Sequence, residues 1–213
     1  NQYDLNNDGV INQLDIFAEN SPFSDGIDSD NNGYIDDILG WDFVHAPGLA
    51  SIATGDYEEQ DNFADDDNNH GTHIAGILSA DTNNGTGISG INWNSKLLIV
   101  RSGFNTPSGG YLQDDDAAAG VIYAADMGAR VISLSWGDLN YSPIIADACN
   151  YAYNKGSIIV VSSGNTNEPG IMYPAKMNNT IAVGSIDEYS ELASFTSYRS
   201  EEHTSELQSL SHI

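Results

Sequence analysis

Cationic side chains are scarce in this sequence. Six Lys and Arg stand against 31 Asp and Glu, leaving a formal net charge of -25 over 213 residues. Such a surface repels phosphate backbones and anionic headgroups, which excludes nucleic acid and anionic membrane as partners. Cysteine is nearly absent as well. The one thiol, Cys149, excludes an internal disulfide framework, and among Ala146, Ala148 and Ala152 it reads as a small buried side chain. No apolar run reaches the roughly 18 residues of a membrane span. No signal peptide is present either, but the chain opens on Asn1 rather than methionine, so a piece of a longer protein is expected. The length suits one domain with a substantial core.

Asp and Asn crowd the first third of the chain. Residues 1–40 hold two acidic loops punctuated by glycine. In the first, Asp4, Asn6, Asp8, Asn12 and Asp15 fall at positions 1, 3, 5, 9 and 12 of an EF-hand-like loop. Gly9 takes position 6, Val10 offers a carbonyl at position 7, and Ile11 is the apolar residue at position 8. The second loop repeats the pattern with Asp28, Asp30, Asn32, Gly33, Tyr34 and Asp36 but carries Leu39 at position 12. Oxygen ligands at this spacing suit calcium, and the glycines fall where the metal's geometry needs a sharp turn. Position 12 of the first loop is Asp rather than the usual Glu, which weakens bidentate closure. A pair of solvated Asx-turns leaves a similar signature. The first loop's spacing also resembles half of a dockerin repeat.

Past Asp65-Asp66-Asp67 the chain reads Asn69-His70-Gly71-Thr72-His73-Ile74-Ala75-Gly76 and continues, small and apolar, to Ala80. Asn69 is a ready N-cap, so a helix is expected from His70. An imidazole on that first turn faces the positive end of the macrodipole, which favours the neutral ring a general base needs. Gly71 and Gly76 each cost the helix about 1 kcal/mol relative to Ala, which predicts close backbone approach by substrate or a neighbouring strand. His70 and His73 also suit two polar helix residues or half a metal site, although His45, His203 and His212 show no ligand spacing. The stretch closely resembles the histidine box H-G-T-H-V-A-G of the subtilisin-like serine proteases, the subtilases. The resemblance implies that His70 is the general base of an Asp-His-Ser triad and His73 a structural neighbour.

Other segments resemble that family in its own order. Residues 30–43 are similar to the pattern D-x-N-G-Y-x-D-D-x-x-G-W-D-F, an insertion in many bacterial subtilases. The aspartate box D-[ST]-G is not found, and Asp4, Asp8 and Asp28 do not replace it, since none ends an apolar run. Asp81 to Gly90 is a Gly/Asn-rich loop that needs positive φ at several positions; the resemblance implies a further calcium site there. By order, Gly109, Gly110 and Tyr111 match the edge segment that pairs with extended substrate. Ser135, Trp136 and Gly137 resemble the family's S-x-G and would line the primary specificity pocket. Ser162-Ser163-Gly164-Asn165 resembles A-A-G-N, which makes Asn165 the donor to the tetrahedral oxyanion, a contact worth about 2.7–4 kcal/mol in subtilisin. On the residues alone, that asparagine could equally close a turn. Tyr173-Pro174-Ala175, residues 180–187 and residues 192–198 match the next loop, strand and segment.

Between these motifs lie apolar runs read as buried strands at Lys96 to Val100, Arg130 to Gly137 and Ser157 to Ser163. Helices are expected from Asp114, with three acids at its positive end, to Met127 and from Ser142-Pro143 to Lys155, ended by Gly128 and Gly156. Strands alternating with helices imply parallel pairing and right-handed crossovers, with a site at the carboxyl ends of the strands. With the resemblance, this gives an α/β, subtilisin-like three-layer fold with a mostly parallel sheet, incomplete at both ends.

From Arg199 the text resembles a translated sequencing-library adapter, and residues 199–213 are expected to be an artefactual, unstructured tail. The nucleophile box G-T-S-x-A-x-P is not found, and Ser205 and Ser211 do not stand in for it. The expected organisation is calcium-binding loops at 1–40, a partial subtilase catalytic domain at 41–198, and the tail. The expected parent is a secreted, monomeric, calcium-dependent endopeptidase acting on peptides or proteins, with this chain inactive by itself. The alternatives are a calcium-binding module resting on residues 1–37 and a subtilase-fold binding protein without catalysis.

Overall fold

The computed structural model describes residues 3–9, 12–18 and 20–198; the expected tail lies outside them. The chain divides into two compact units, Asn1–Tyr111 and Leu112–Ile213. That boundary falls inside the stretch expected to be a single catalytic domain.

Unit 1 opens on the acidic loops. The first runs into α1 (Gln13–Ile16), where Asn12 caps the helix by accepting from the Leu14 N–H at 2.8 Å. Aromatic rings fasten both loops down. Phe17 meets Phe63 at 5.4 Å, while Tyr34 packs edge-on against Trp41 at 5.0 Å and Phe43 at 5.6 Å. The Tyr, Trp and Phe of the 30–43 pattern are thus one cluster. β1 (Gly40–Asp42) pairs in parallel with β2 (Ile99–Arg101), and Asp42 lies opposite Arg101. Val44, Ala46, Ala53 and Phe104 form a small core on which Leu49 and Tyr57 pack. α2 (His70–Ser79) starts where the histidine box does and has no buried residue. β3 (Gly103–Thr106) and β4 (Gly109–Leu112) make a hairpin across residues 107–108.

Unit 2 is a parallel sheet with helices. α3 (Asp114–Asp126) precedes β5 (Val131–Leu134), and α4 (Pro143–Asn154) precedes β6 (Ile158–Ser162); β7 (Ile181–Val183) completes the order β5-β6-β7. Both pairings are parallel, with Ile132 opposite Ile159 and Val161 opposite Ala182. α3 and α4 pack together through small side chains: Ala117, Ala118, Ala124 and Ala125 on one, Ala146, Ala148 and Ala152 on the other are all buried. Small residues let helix axes approach closely. Cys149 is buried in this layer, and burial pushes its thiol up to about 11, so it stays an inert thiol at neutral pH. Lys155 and the Tyr151 hydroxyl, the latter at 2.7 Å, both bond Asp126 and join the helix ends.

The apolar runs are not buried on both faces as expected. Ile132, Leu134, Ile159 and Val161 are buried, whereas the alternating Val131 and Ile158 are 59% and 51% exposed. The helices of unit 2 cover one face of its sheet, and among the described residues of that unit nothing covers the other. β2 departs further: Ile99 and, just before the strand, Leu97 are exposed, and among the described residues the strand pairs only with β1. The alternation is testable by urea unfolding. Ile159→Ala should cost about 2–5 kcal/mol, and Ile158→Ala, one residue away, about 0.5 kcal/mol or less. Equal losses would mean that both faces are covered in solution.

Candidate active site

His70 is the first residue of α2, and its side chain is exposed. The expected N-cap is corrected by the structure. Asn69 sits at φ 66 and makes no side-chain cap. Asp66 does the capping from further upstream: one carboxylate oxygen accepts from the Asn68 and Asn69 amides at 2.8 and 2.9 Å, the other from the Thr72 N–H and hydroxyl at 2.7 and 2.8 Å. Asn69 turns left-handed because the chain must wrap around that carboxylate, a conformation Asn tolerates. The close approach expected at the helix glycines is also not found. A methyl on Gly71 would meet only the Asp66 carboxylate, at 3.5 Å, and one on Gly76 only Ile88, at 3.9 Å. Both are ordinary contacts within the described residues.

In unit 2 the expected pocket residues gather at the carboxyl ends of adjacent parallel strands. Ser135, Trp136 and Gly137 follow β5, and Asn165 follows β6. The Asp138 and Tyr173 backbones exchange bonds at 3.0 and 2.8 Å, laying the 170–175 loop beside residues 135–138. Gly137 is required by that approach, since a Cβ there would stand 2.8 Å from the Tyr173 carbonyl oxygen. Gly164 is required twice over: its φ is +111, and a Cβ would stand 2.8 Å from Ser197 Oγ. Ser197 also bonds Thr166 Oγ1 at 2.9 Å and accepts from the Thr166 N–H at 3.2 Å. The turn behind Asn165 is therefore pinned on both sides. The Asn165 side chain itself is exposed and makes no hydrogen bond among the described residues.

Gly109, Gly110 and Tyr111 lie on β4, exposed, with the Tyr111 ring 5.7 Å from that of Phe104. Among the described residues β4 pairs only with β3, so its outer edge is open to an added strand.

The acidic loops share one backbone form. Asn7 and Asn31 take φ 59 and 60, and Gly9 and Gly33 take φ 90 and 95, at equivalent positions. They differ in their carboxylates. Oxygens of Asp4, Asp8 and Asp15 lie within 4.8 Å of one another, and Asn6 Nδ2 bonds Asp8 at 3.0 Å. Asp15 is buried and accepts from the amides of Leu5, Asn6 and Asn12 at 2.7, 3.1 and 3.0 Å. The Asn12 side-chain oxygen is engaged at the helix cap, and Val10 lies outside the described residues. Three carboxylates this close repel without a cation, and their oxygens are the donor set calcium takes. In the second loop Asp28 and Asp30 accept from the Asn32 amide at 3.1 and 3.2 Å, but Asp36 turns away to the amides of Asp25 and Gly26 at 3.2 and 2.9 Å. Asp28, Asp30 and Asp36 do not converge as the first set does. Asn32 and Tyr34 stay in the loop, where the Asn32 side chain accepts from the Tyr34 N–H at 2.7 Å. The loop at 81–90 does take positive φ, at Asn83, Gly85 and Gly87.

One constellation was not visible beforehand. Asp42, in the Trp-Asp-Phe segment, is fully buried; it accepts from the Val44 N–H at 2.9 Å and pairs with Arg101. Burial pushes its carboxyl up to about 6, while the Val44 amide and Arg101 pull it down. Arg101 also bonds the Asp56 carbonyl at 2.5 Å and the Asp67 carboxylate at 3.1 Å. Asp56 and Asp61 bring further carboxylates within 4.8 Å of Asp42. The separation of these residues along the chain left no local spacing to read. Arg101 already supplies the positive charge at Asp42, so no ion is assigned to this cluster.

The Subtilase family matches residues 25–208. A thermophilic serine proteinase from Bacillus sp. (strain AK1) is 45% identical over 161 residues, covering 75% of this chain and 39% of that protein. Thermitase from Thermoactinomyces vulgaris is 42% identical over 156 residues, covering 72% and 55% respectively. Among solved structures, sphericase matches with TM-score 0.58 and 30% identity over 74% of this chain and 51% of the other. A protease from Pseudoalteromonas arctica PAMC 21717 matches with TM-score 0.65 and 27% identity over 76% and 54%. The fold is therefore α/β and subtilisin-like, and the chain spans about half or less of these relatives' length.

The Asp66 cap makes its own prediction. Burial alone would raise this carboxyl, but the bonds from Thr72, Asn68 and Asn69 outweigh it and hold the group below its ordinary value. A lowered folded value means stability that is present above about pH 4 and lost as pH falls further. Protection of the Thr72 and His73 amides, relative to the intrinsic exchange rate at each pH, should therefore fall below about pH 4. Asp66→Ala should cost about 1 kcal/mol and abolish that dependence; an unchanged acid profile in the variant would show that another group caps α2.

Proposed function

The chain belongs to the subtilase family, and from that premise we propose that it supplies the general base and the oxyanion donor of a secreted, calcium-dependent serine endopeptidase. In this reading the His70 imidazole accepts the proton of a serine hydroxyl as that oxygen attacks the scissile carbonyl, then returns it to the leaving amine. The Asn165 carboxamide donates to the oxyanion that forms. Gly109, Gly110 and Tyr111 would pair with extended peptide substrate in unit 1, and Ser135, Trp136 and Gly137 would line the primary specificity pocket in unit 2. The observation that carries the reading is the histidine box opening α2, with His70 exposed on a first turn pinned by Asp66.

Calcium is proposed at the first loop, held by Asp4, Asn6, Asp8 and Asp15 with the Val10 carbonyl; the gathered carboxylates support this. Asn12 would contribute only by leaving its helix-capping bond. At the second loop Asp28, Asp30, Asn32 and the Tyr34 carbonyl would hold an ion if Asp36 released the Asp25 and Gly26 amides. Secretion is proposed from the family. Among the described residues no helix is long and apolar enough to cross a membrane.

A non-catalytic binding role is the second reading, and the full-length gene separates the two: D-[ST]-G upstream and G-T-S downstream of these 213 residues decide for the protease. A base and an oxyanion donor without the nucleophile retain little catalysis. The 213-residue chain should accordingly resist a fluorophosphonate probe, and covalent labelling at any of its serines would overturn the assignment. Calcium at 100 times its dissociation constant should stabilise unit 1 by about 2.7 kcal/mol. Thermal melts with and without chelator test this, with the Asp4→Ala/Asp8→Ala double variant expected to lose the difference; a melting temperature indifferent to chelator in the parent chain removes calcium from the proposal.

A further inference from the structure

We propose that Asn105 is a positioning residue that ties the substrate-edge hairpin to the loop carrying His70, so that a peptide strand on β4 and the imidazole are held in one register. This rests on the reading of His70 as base and β4 as substrate edge.

Asn105 lies on β3, and its side chain and its backbone carbonyl face different segments. Its Nδ2 donates to the Asp67 carbonyl at 2.7 Å, and its Oδ1 accepts from Asn68 Nδ2 at 2.6 Å. Its backbone carbonyl accepts from the Thr54 N–H at 2.8 Å. Asp67 and Asn68 immediately precede Asn69 and His70, so two of these bonds grip the peptide that enters α2. That peptide is held from the other side as well, where the Asp67 carboxylate meets Arg101 at 3.1 Å and the Asp56 amide at 2.8 Å.

The link continues to the proposed substrate edge. A methyl on Gly110 would approach Asn68 Nδ2 to 3.4 Å, the near edge of van der Waals contact. One side chain thus backs the β4 glycine on one side and bonds Asn105 on the other. Arg101 clamps the same loop but touches neither Gly110 nor Asn68 in any described bond, so it fixes the loop without reporting on the edge. Among the described bonds Asn105 is the one that joins the two, through the donor and the acceptor of a single carboxamide.

The 213-residue chain, labelled for NMR, tests the link without any need for turnover. Asn105→Ala should shift the His70 ring resonances and speed amide exchange in residues 103–112 by about tenfold. Amides of α3 and β5–β7 should stay unchanged and so report an intact fold. Asn105→Asp should shift His70 as well, because an acid oxygen would then face the Asp67 carbonyl. Gly110→Ala approaches from the substrate side: it should move the His70 resonances while the hairpin keeps its protection. His70 resonances that stay in place in either Asn105→Ala or Gly110→Ala overturn the proposal, leaving Asn105 a strut of the hairpin. The readout is the position of the ring, so the reading of His70 as base fails on a different result, undiminished hydrolysis by the full-length protein carrying His70→Ala.

Discussion

With six cations for 31 carboxylates, charge pairing cannot organise the acidic loops, and backbone amides take that role. Asp15 gathers the amides of Leu5, Asn6 and Asn12; Asp28 those of Asn32 and Gly33; Asp36 those of Asp25 and Gly26; Asp66 those of Asn68, Asn69 and Thr72. A bond from N–H to an ionised carboxylate is shorter and about twice as strong as a neutral one. It also holds the acid in its charged form. The Asn12 amide lowers Asp15 and the Gly33 amide lowers Asp28 below their ordinary values. Each loop is thus a ring of amides closed on an anion, a form suited equally to receiving a cation and to fixing the start of a helix.

Arg101 is the exception, and its burial shows what the amides leave undone. Asp42 sits fully inside unit 1, where one amide cannot offset the cost of a charge. The guanidinium beside it supplies the opposite charge and spends its remaining donors on the Asp56 carbonyl and Asp67. Arginine suits this place because its planar fork can serve three oxygens at once. The consequence runs outward from the core: β1, β2, the residue 56 turn and the loop before α2 all meet at one side chain. Removing one partner of such a pair leaves an uncompensated buried charge, which costs far more than the pair contributes.

How much of this could be read beforehand depended on whether the determining contacts were local. The histidine box, the start of α2 and the two repeated loops were legible because their signals span a dozen residues or fewer. The cap was misread within that same stretch: Asn69 has the right chemistry for an N-cap, but Asp66 reaches the Thr72 amide first and forces Asn69 to turn left-handed. The apolar runs correctly announced strands but not their exposure, since a run such as Ile158 to Val161 looks the same whether one face or both is covered. Asp42, Asp56, Asp61 and Arg101 were invisible as a group, because no spacing rule connects residues brought together only by β1 pairing with β2. Asp36 was illegible for a subtler reason. Its position fits a ligand, yet the Asp25 and Gly26 amides compete for it and come from outside the loop.

The chemistry proposed for His70 and Asn165 turns on a constraint their present surroundings make plain. Both side chains are exposed, and a donor facing bulk water stabilises a developing anion poorly, because the solvent already offers equivalent bonds. The same carboxamide in a water-excluded cleft is worth far more, since charge–dipole energies scale inversely with the local dielectric. What this chain does provide is the costly part of the arrangement, rigid backbone. Gly164 is pressed against Ser197, Gly137 against the Tyr173 carbonyl, and α2 is locked to Asp66. A preorganised scaffold with its polar tips in water becomes effective only when solvent is excluded from those tips. Binding and electrostatics would then be coupled: whatever covers each group would also supply the dry surroundings in which it can act.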